Sequence, residues 1–394
     1  MKKLFLRFVM AATLIAPVVF TSCSDDDDDK GGDGVTETFT VENGEMMGRL
    51  KSAYTLDADV ELVGPVIVES GASLTIPAGR TIKAKGGFSC YILVLQGGKI
   101  FVNGTAEAPV TMTSGAMKDN APNPKAMDWG GLIINGRAPL ADGITRSTEI
   151  NTNYPYGGND ANDNSGVIKY LKLEYTGAKN GNDVEHNGLT LNAVGRATVI
   201  ENIFIPYSGD DGIEFFGGSV SVKNLLVVNS DDDMFDVTDG WNGTLENAYG
   251  IWKDGFSSAE SDPSGVEADG NMDGKFDKAP NMSNFTIRNM TIENNGVLMN
   301  NVLKVRRGAT AHIINAVVKG SGTVKPTGYV VDMTDGAGNG NTASEISITN
   351  AMTNSVIPTN FGTDLYPNVT VNPTPANTGC ENPATLFSWT GYQF

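Results

Sequence analysis

A short internal repeat limits the folds that this sequence can adopt. Brief apolar segments recur along the chain, and each ends in Gly, Asn or Asp, as in NGLTLNAVG, DGIEFFGG and DMFDVTDG. Asn202, Asn224 and Asn247 mark one corner of the repeat, 22 and 23 residues apart. A period of this length without a helical pattern is typical of a β-solenoid, whose coils bury apolar surface by stacking on their neighbours. The corner asparagines are expected to bend the chain and hydrogen-bond along the stack.

Four longer motifs add a family resemblance. LTIPAGRTIKA, DWGGLIINGRAPL, YGGNDANDNSGVIKYLKLEYTG and YSGDDGIEFFGGSVSVKNLLVVNSDDDMFD resemble Bacteroidota secreted β-helix lipoproteins, within the pectin-lyase-like class. The resemblance covers residues 56–335. It implies an all-β fold, a right-handed parallel β-helix, and it implies no settled activity.

The repeat is bounded by two segments that lack it. Residues 35–57 precede the first regular coil, and residues 356–394 follow the last one in Pro- and Asn-rich sequence. Because an open stack leaves strand edges bare at both ends, we interpret these segments as caps on a β-helix at residues 58–355. The polar loops that interrupt the coils are 118–128, 142–164 and 256–280. Solenoids commonly use such insertions for binding.

The N-terminus predicts export and lipidation. Three basic residues precede a 13-residue apolar run, which suits a secretory signal because a bilayer span needs ~20 residues. The sequence FTSC around Cys23 resembles a bacterial lipobox, so residues 1–22 are predicted to be a lipoprotein signal peptide. Residues 23–34 would be a lipidated acidic tether, and their aspartates resemble an export signal to the outer face of the outer membrane. A merely solvated spacer is the alternative for the aspartates.

The charge balance narrows the choice of partners. Because residues 1–22 carry three positive charges, the mature chain would have a formal charge of −21 in place of −18. This charge argues against nucleic acid and anionic membrane surfaces, and it favours cations or neutral glycans. Beside Cys23, the chain contains Cys90 and Cys380 in a compartment that permits disulfides. Nothing in the sequence establishes the distance between these two, so their pairing stays open.

An acidic pair of coils is the first candidate calcium site. Aligning DDGIEFF with DDMFDVT at the repeat places Asp211 over Asp233 and Glu214 over Asp236, at the ~4.8 Å spacing of a parallel ladder. Carboxylates this close must protonate or hold a cation, and Ca²⁺ accepts irregular sets of oxygen ligands. The alternative is that these residues form turns and accept backbone N–H bonds.

A second candidate calcium site lies in DGNMDGKFD. Asp269, Asn271 and Asp273 match the opening of a calcium loop, and Asp277 lies at its ninth position. The twelfth position, which usually supplies a bidentate Glu, is Pro280. An ordinary acidic surface turn is the alternative.

Aromatic residues near the acidic coils predict a sugar-binding face. Flat apolar rings beside carboxylates and amides provide what a pyranose ring and its hydroxyls require. The candidate ligand-binding residues are Trp241, Tyr249, Trp252, Tyr154 and Tyr156. Packing on the core beneath loops is the alternative for the two tryptophans.

The sequence contains less support for catalysis. No GHG motif follows the acidic pair, and His312 is more typical of a coil wall than of a catalyst. A lyase also needs a basic residue aimed at the substrate, and Arg306 and Arg307 are expected several coils away.

We therefore expect an outer-membrane lipoprotein facing the cell exterior that binds an extracellular glycan, with Ca²⁺ ordering its loops. A calcium-dependent polysaccharide lyase or hydrolase, and a structural surface protein or adhesin, are the alternatives.

Overall fold

A computed structural model describes residues 35–117, 124–182, 184–296, 298–353, 359–362 and 364–394. The signal peptide and the acidic tether, including Cys23, lie outside these residues. Helical structure in the described part of the chain comprises one α-helix, α1 (Pro383–Leu386), and three 3₁₀ turns, Gly115–Met117, Met272–Gly274 and Ser388–Thr390. None of these helices is long and apolar enough to cross a membrane.

The remaining regular structure is β-sheet, which confirms the predicted all-β class. In chain order the first thirteen strands are β1 (Thr40–Glu42), β2 (Glu45–Leu50), β3 (Ala53–Thr55), β4 (Val60–Val68), β5 (Ser73–Pro77), β6 (Thr81–Ala84), β7 (Gly87–Val94), β8 (Lys99–Asn103), β9 (Val110–Ser114), β10 (Trp129–Asn135), β11 (Arg146–Thr148), β12 (Asn151–Tyr156) and β13 (Gly166–Leu173). The next thirteen are β14 (Leu189–Asn192), β15 (Val199–Pro206), β16 (Ile213–Phe216), β17 (Ser221–Val228), β18 (Phe235–Thr238), β19 (Thr244–Trp252), β20 (Val266–Asp269), β21 (Asn284–Asn294), β22 (Met299–Arg306), β23 (Thr310–Gly320), β24 (Val324–Asp332), β25 (Glu345–Met352) and β26 (Val369–Val371).

Parallel pairing between successive coils builds three faces, and these make the right-handed parallel β-helix that was predicted. The first face stacks β2, β4, β7, β10, β14, β16, β18, β20, β22 and β24. The second stacks β3, β5, β8, β13, β15, β17, β19, β21, β23, β25 and β26. The third stacks β4, β6 and β9 on the C-terminal halves of the long strands from β13 to β25.

The segments predicted as caps contribute strands of their own. β1 pairs antiparallel with β2, whereas β2 and β3 pair parallel with the coils that follow. At the other end β26 pairs parallel with β25. Beyond β26, the α-helix and the last 3₁₀ turn return along the outside of the helix, where Phe387 and Cys380 pack on Phe204 and Tyr249.

Along the strands of the first face, side chains point alternately into the core and toward the surface. Leu189, Ile213 and Phe235 follow one another in register, and all are fully buried inside the coils. The residue after each of these points outward. Stacking such apolar rows removes the inner face from water, which is the main source of stability in a solenoid.

The corner asparagines form the ladder that the repeat predicts. Asn202, Asn224, Asn247, Asn289 and Asn315 each have a positive φ, between 55° and 61°. From Asn224 onward, each Nδ2 donates to the Oδ1 of the asparagine in the preceding coil, at 2.9, 3.0, 3.0 and 2.8 Å along the series. The left-handed backbone turns the long strands from the second face to the third, and asparagine tolerates it better than most residues.

Two expectations about the chain are settled by its packing. Cys90 and Cys380 are both buried and unpaired, so the disulfide left open by the sequence is not formed.

The predicted loop 256–280 contains β20, a regular strand of the first face, and this part of the prediction is wrong. Val266 and Ala268 point into the core as in neighbouring coils, but Ser-, Asp- and Gly-rich sequence on both sides conceals the repeat.

Candidate functional site

A column of polar residues runs along the outside of the first face. Thr190, Glu214, Asp236 and Glu267 are consecutive register partners on β14, β16, β18 and β20. Register partners in a parallel ladder are ~4.8 Å apart, so three carboxylates follow one another at that spacing. The stack of Glu214 over Asp236 predicted from the repeat is therefore present, and Glu267 extends it by one coil.

An insertion covers this column. We call residues 142–164 the hairpin insertion, since β11 and β12 pair antiparallel within it. The residues between the two strands face the column, and Met272 and Asp273 of the loop after β20 border the same space. The cavity between the first face and the hairpin insertion has a volume of about 360 Å³ and is termed the acidic cleft.

Buried tyrosines hold the hairpin insertion in place. Tyr154 packs with Tyr91 and Ile133 on the outside of the first face, and Tyr156 packs with Phe216 and Leu140. Nδ2 of Asn135 adds bonds to the carbonyl oxygens of Tyr154 and Pro155, at 3.3 and 3.1 Å. The second strand of the hairpin insertion, β12, is therefore anchored on the first face.

Basic side chains lie at the two ends of the acidic cleft. At one end Arg306 pairs with Glu267 and with Asp269, whose Oδ1 is 2.6 Å from Nε, and Arg307 also pairs with Asp269. At the other end Nζ of Lys179 pairs with Glu185 at 2.9 Å, with Asp210 at 3.6 Å and with Glu260. The carboxylates at each end of the acidic cleft are therefore paired with a basic side chain.

Among the residues that the structure describes, no basic side chain pairs with the carboxylates at the centre of the cleft. Oxygens of Asp211, Glu214 and Asp236 all lie within 4.8 Å of one another. Nδ2 of Asn187 donates to Glu214. Burial raises the pKa of Glu214 well above its usual range, and the charge of Asp236 raises it further. Burial and the charges of Glu267 and Asp269 likewise raise the pKa of Asp236. The central carboxylates therefore favour retaining protons or gaining a positive partner.

Asp211 and Asp233 also serve the backbone. Oδ1 of Asp211 accepts the N–H of Asp233 at 3.0 Å, and Oδ1 of Asp233 accepts the N–H of Ser264 at 2.6 Å. Asn187 begins the series, because its Oδ1 accepts the N–H of Asp211 at 3.2 Å. The turn-forming role considered from the sequence is thus observed for these two aspartates. The predicted calcium site remains a prediction.

The second predicted calcium set does not converge. Asp269 is buried and paired with two arginines, while Oδ1 of Asn271 accepts the N–H of Phe276 at 2.9 Å. Asp273 is exposed and pairs with Lys275 at 2.8 Å, and Asp277 is exposed as well. The four residues therefore contribute to the end of the acidic cleft and to a surface turn.

The prediction of an exposed aromatic face is wrong. Trp241 and Trp252 are fully buried, and their Nε1 atoms donate to the carbonyl oxygens of Val220 and Ser230, both at 2.9 Å. Tyr249 is buried beneath the C-terminal residues, and Tyr154 anchors the hairpin insertion. Of the five predicted residues, Tyr156 alone lines the acidic cleft within the described part of the chain. Core packing explains the other four.

Several residues of the cleft were missed from the sequence. Glu267 lies in GVEADG, which repeats the pattern of GIEFFG and could have been aligned with it. Arg306 was expected several coils from the acids, but β22 lies directly beside β20, so Arg306 borders the cleft. Glu149 comes from the hairpin insertion and carries no signal from the repeat. His186 is buried under Gly130 and the ring of Tyr91, outside the cleft lining.

Comparison with known proteins identifies the family of this fold. The family model of the pectate-lyase-like beta helix domain matches residues 48–392. The chain belongs to this family. Solved structures similar to this pectate-lyase-like beta helix domain include the catalytic domain of a GH87 α-1,3-glucanase in complex with nigerose, at 16% identity and a TM-score of 0.31. A variant of that catalytic domain in complex with tetrasaccharides has 16% identity and a TM-score of 0.30.

These similarities concern the fold alone. Each covers 83% of this chain and 62% of the glucanase domain, so the chain spans less than two thirds of those structures. A search of curated proteins by sequence finds no match.

Proposed function

We propose that this protein is a lipid-anchored surface protein that binds a glycan in the acidic cleft. The observation that carries the proposal is a roofed cavity of about 360 Å³ between the first face and the hairpin insertion. Its size lies within the ~300–1,000 Å³ range of small-molecule sites, and polar groups converge on it from both walls. Both properties are those of a site for a small polar ligand.

The lining matches the two kinds of surface on a sugar. Tyr156 and Phe216 supply apolar surface at one wall, against which the C–H groups of a pyranose can pack. Carboxylates, Asn192 and Thr190 supply acceptors and donors for hydroxyls along the floor. Glycans therefore fit the chemistry of the cleft better than purely apolar ligands do.

The charge of the lining selects among glycans. Glu214 and Asp236 face the cleft without a basic side chain between them, so the carboxylate of a uronate would add repulsion to a cluster in which the pKa values are already raised. A neutral sugar avoids that repulsion, and a protonated amino group on a sugar would relieve it. We therefore propose neutral or amino-bearing oligosaccharides as ligands.

Calorimetry with a panel of neutral, amino-bearing and uronate oligosaccharides tests this proposal. We expect binding of the first two classes, with at least a tenfold loss of affinity in Asp236→Asn for the amino-bearing ligands. Glu246→Gln is the matched control, because it removes one acidic charge from the second face. Failure of every oligosaccharide to bind would reject the glycan proposal and leave the structural or adhesive alternative.

A hydrolytic role is the second candidate, and one feature of the cleft favours it. Burial raises the pKa of Glu149 on the roof and of Glu267 on the floor to about 7. Carboxyl groups that keep a proton near neutral pH can protonate a glycosidic oxygen. Release of reducing ends that disappears in Glu267→Gln would establish hydrolysis, whereas a rise in ultraviolet absorbance from unsaturated products would establish a lyase.

The proposed anchor rests on the basic head, the apolar run and the lipobox-like sequence before Cys23. Each buried methylene contributes ~0.8 kcal/mol to membrane binding, so two or three acyl chains on one cysteine hold firmly. Cys23→Ser should move the protein from the membrane to the soluble fraction. The lipidation proposal fails if the variant sediments with membranes as the parent does.

A further inference from the structure

Arg146 lies where the hairpin insertion meets the coils. Its Nε is 3.1 Å from Oδ2 of Asp239, and its Nη2 is 3.2 Å from Oδ1 of the same residue. Asp142, within the hairpin insertion, adds a third contact at 3.2 Å. The side chain of Asp239 is 0% exposed and that of Arg146 is 14% exposed. The hydrogen bond from Nη2 to Oδ1, shielded from solvent, orients a guanidinium more strictly than a surface pair does.

The same guanidinium also touches the loop between β20 and β21, residues 270–283. Its central carbon lies 4.8 Å from the centre of the Phe276 ring, within the range of a cation–π contact. Met272 of this loop packs on the cluster formed by Tyr156 and Leu140. The β20–β21 loop therefore reaches the hairpin insertion on the side where both border the acidic cleft.

Backbone contacts reinforce this junction. The N–H of Asn281 donates to the carbonyl oxygen of Ala141 at 2.9 Å, and the N–H of Ala141 donates to that of Asp239 at 2.9 Å. Gly240 has φ +93°, and a Cβ there would lie 2.5 Å from the carbonyl oxygen of Asn281 and 2.7 Å from the N–H nitrogen of Ala141. The backbone segments at Ala141, Gly240 and Asn281 therefore lie too close together for any side chain at position 240.

We infer that Arg146 is a positioning residue that joins the hairpin insertion and the β20–β21 loop into one roof over the acidic cleft. Arg146 immediately precedes Ser147, and Ser147 to Ile150 line the cavity. Holding Arg146 therefore holds the tip of the hairpin above Glu214 and Asp236. Loss of the contact would let both segments move away from the floor, and a bound ligand would leave faster.

This inference deepens the proposed function, but its first test needs no glycan. Lys275 and Lys278 lie in the β20–β21 loop and are exposed, so a lysine-specific protease can report the opening of that loop. We expect cleavage at these two lysines to accelerate at least tenfold in Arg146→Met. Arg80→Met is the matched control, because Arg80 makes a surface ion pair with Asp59 at 3.7 Å.

Two further variants keep the test valid if Arg146→Met folds poorly because Asp239 is left buried and unpaired. Phe276→Leu removes the stacked ring and leaves the ion pair intact, and Arg146→Met with Asp239→Asn removes both charges together. Both should accelerate cleavage while the melting of the coils is unchanged. Cleavage at the parent rate in both variants would overturn the inference.

The second test uses any oligosaccharide of the neutral or amino-bearing panel that the parent protein binds. Phe276→Leu should raise its dissociation rate about tenfold with little change in association rate, since the floor of the cleft is untouched. An unchanged dissociation rate would contradict the role of the roof in retention. If no oligosaccharide binds, the proposed function fails, and the protease test still decides whether Arg146 joins the two segments.

Discussion

Two ladders run through the same coils of this β-helix with the same period and with opposite chemistry. Along the corner from Asn202 to Asn315, each inner asparagine donates to the one before it and accepts from the one after it. Along the first face, Glu214, Asp236 and Glu267 present only acceptors to one another when ionised. The first ladder satisfies its polar groups internally, and the second does not.

This difference in hydrogen bonding indicates that the asparagine ladder serves the fold, whereas the acidic column serves a binding site. A buried polar network that is fully satisfied makes the fold more rigid and specific, whereas an unsatisfied one is costly. The acidic column lies beneath the hairpin insertion and borders the acidic cleft. A ligand or a cation in the cleft can supply the hydrogen-bond donors or the positive charge that the carboxylates lack. The period alone cannot distinguish the two ladders, because both stack residues that lie one coil apart. The donors and acceptors at each position distinguish them.

The largest effect is expected from breaking the asparagine ladder. Asn224→Ala removes the partner of Oδ1 of Asn202 and of Nδ2 of Asn247, and it places alanine at φ +58°. The orphaned Oδ1 of buried Asn202 costs ~1–3 kcal/mol, and the left-handed backbone adds ~1 kcal/mol, whereas half-buried Asn247 can bond to water. We therefore expect a loss of about 2–4 kcal/mol in the free energy of unfolding. Urea denaturation measures it.

Lys223→Ala is the control for this variant. Lys223 precedes Asn224 in β17, and its side chain is half exposed in a 3.6 Å pair with Glu246. A surface pair of this kind contributes ~0–1 kcal/mol. If the two variants lose equal stability, the asparagine ladder is no more than a row of turn residues.

The sequence predicted the ladders because both depend on spacing. The repeat was enough to stack Asn224 on Asn202 and Glu214 on Asp236, since residues one period apart become register partners. It was not enough for Glu267, which follows a coil lengthened by polar sequence of no regular spacing. Nor could it reveal the contact of Arg146 with Asp239, because the path of an insertion depends on tertiary packing.

The acidic column should make stability fall as pH rises. Burial raises the pKa of Glu267 to about 7, although Arg306 lowers it and Asp269 raises it. A carboxyl whose pKa is higher in the folded state stabilises the fold fully below its unfolded pKa of 4.5, and this contribution is lost as pH rises through about 7. Each proton involved changes stability by up to ~1.4 kcal/mol per pH unit.

Glu267→Gln should therefore flatten the decline of unfolding free energy between about pH 5 and pH 7 by ~2 kcal/mol in total. Urea denaturation across that pH range measures the slope. Glu246→Gln on the second face is the control and should retain the slope of the parent. Parallel pH profiles for Glu267→Gln and the parent would mean that Glu267 keeps its ordinary acidity in the folded protein.

Calcium should distinguish the acidic column from the asparagine ladder, because only the carboxylates are expected to bind it. If Ca²⁺ binds among Asp211, Glu214 and Asp236, a tenfold excess over Kd stabilises the folded state by about 1.4 kcal/mol. We expect a Tm a few degrees higher in millimolar Ca²⁺ than in chelator, and no such difference in Asp236→Asn. Asn224→Ala should respond to Ca²⁺ as the parent does. Identical melting curves for the parent with Ca²⁺ and with chelator would exclude this site.

The smallest effect is expected in the series of turns that begins at Asn187, beside the acidic column, where an asparagine and an aspartate accept the same kind of backbone hydrogen bond. Asp233 accepts the N–H of Ser264 through Oδ1, as Asn187 accepts the N–H of Asp211 two coils earlier. Asp233→Asn keeps that acceptor and removes a carboxyl whose pKa burial raises well above its usual range. Because the raised pKa means that little charge is lost at pH 5, and because the bond is retained, we expect a net change below about 0.5 kcal/mol by urea denaturation at that pH. Asp233→Ala, which loses the acceptor, should cost about 1–3 kcal/mol. Equal losses in the two variants would show that the hydrogen bond from the N–H of Ser264 to Oδ1 of Asp233 does not stabilise this turn.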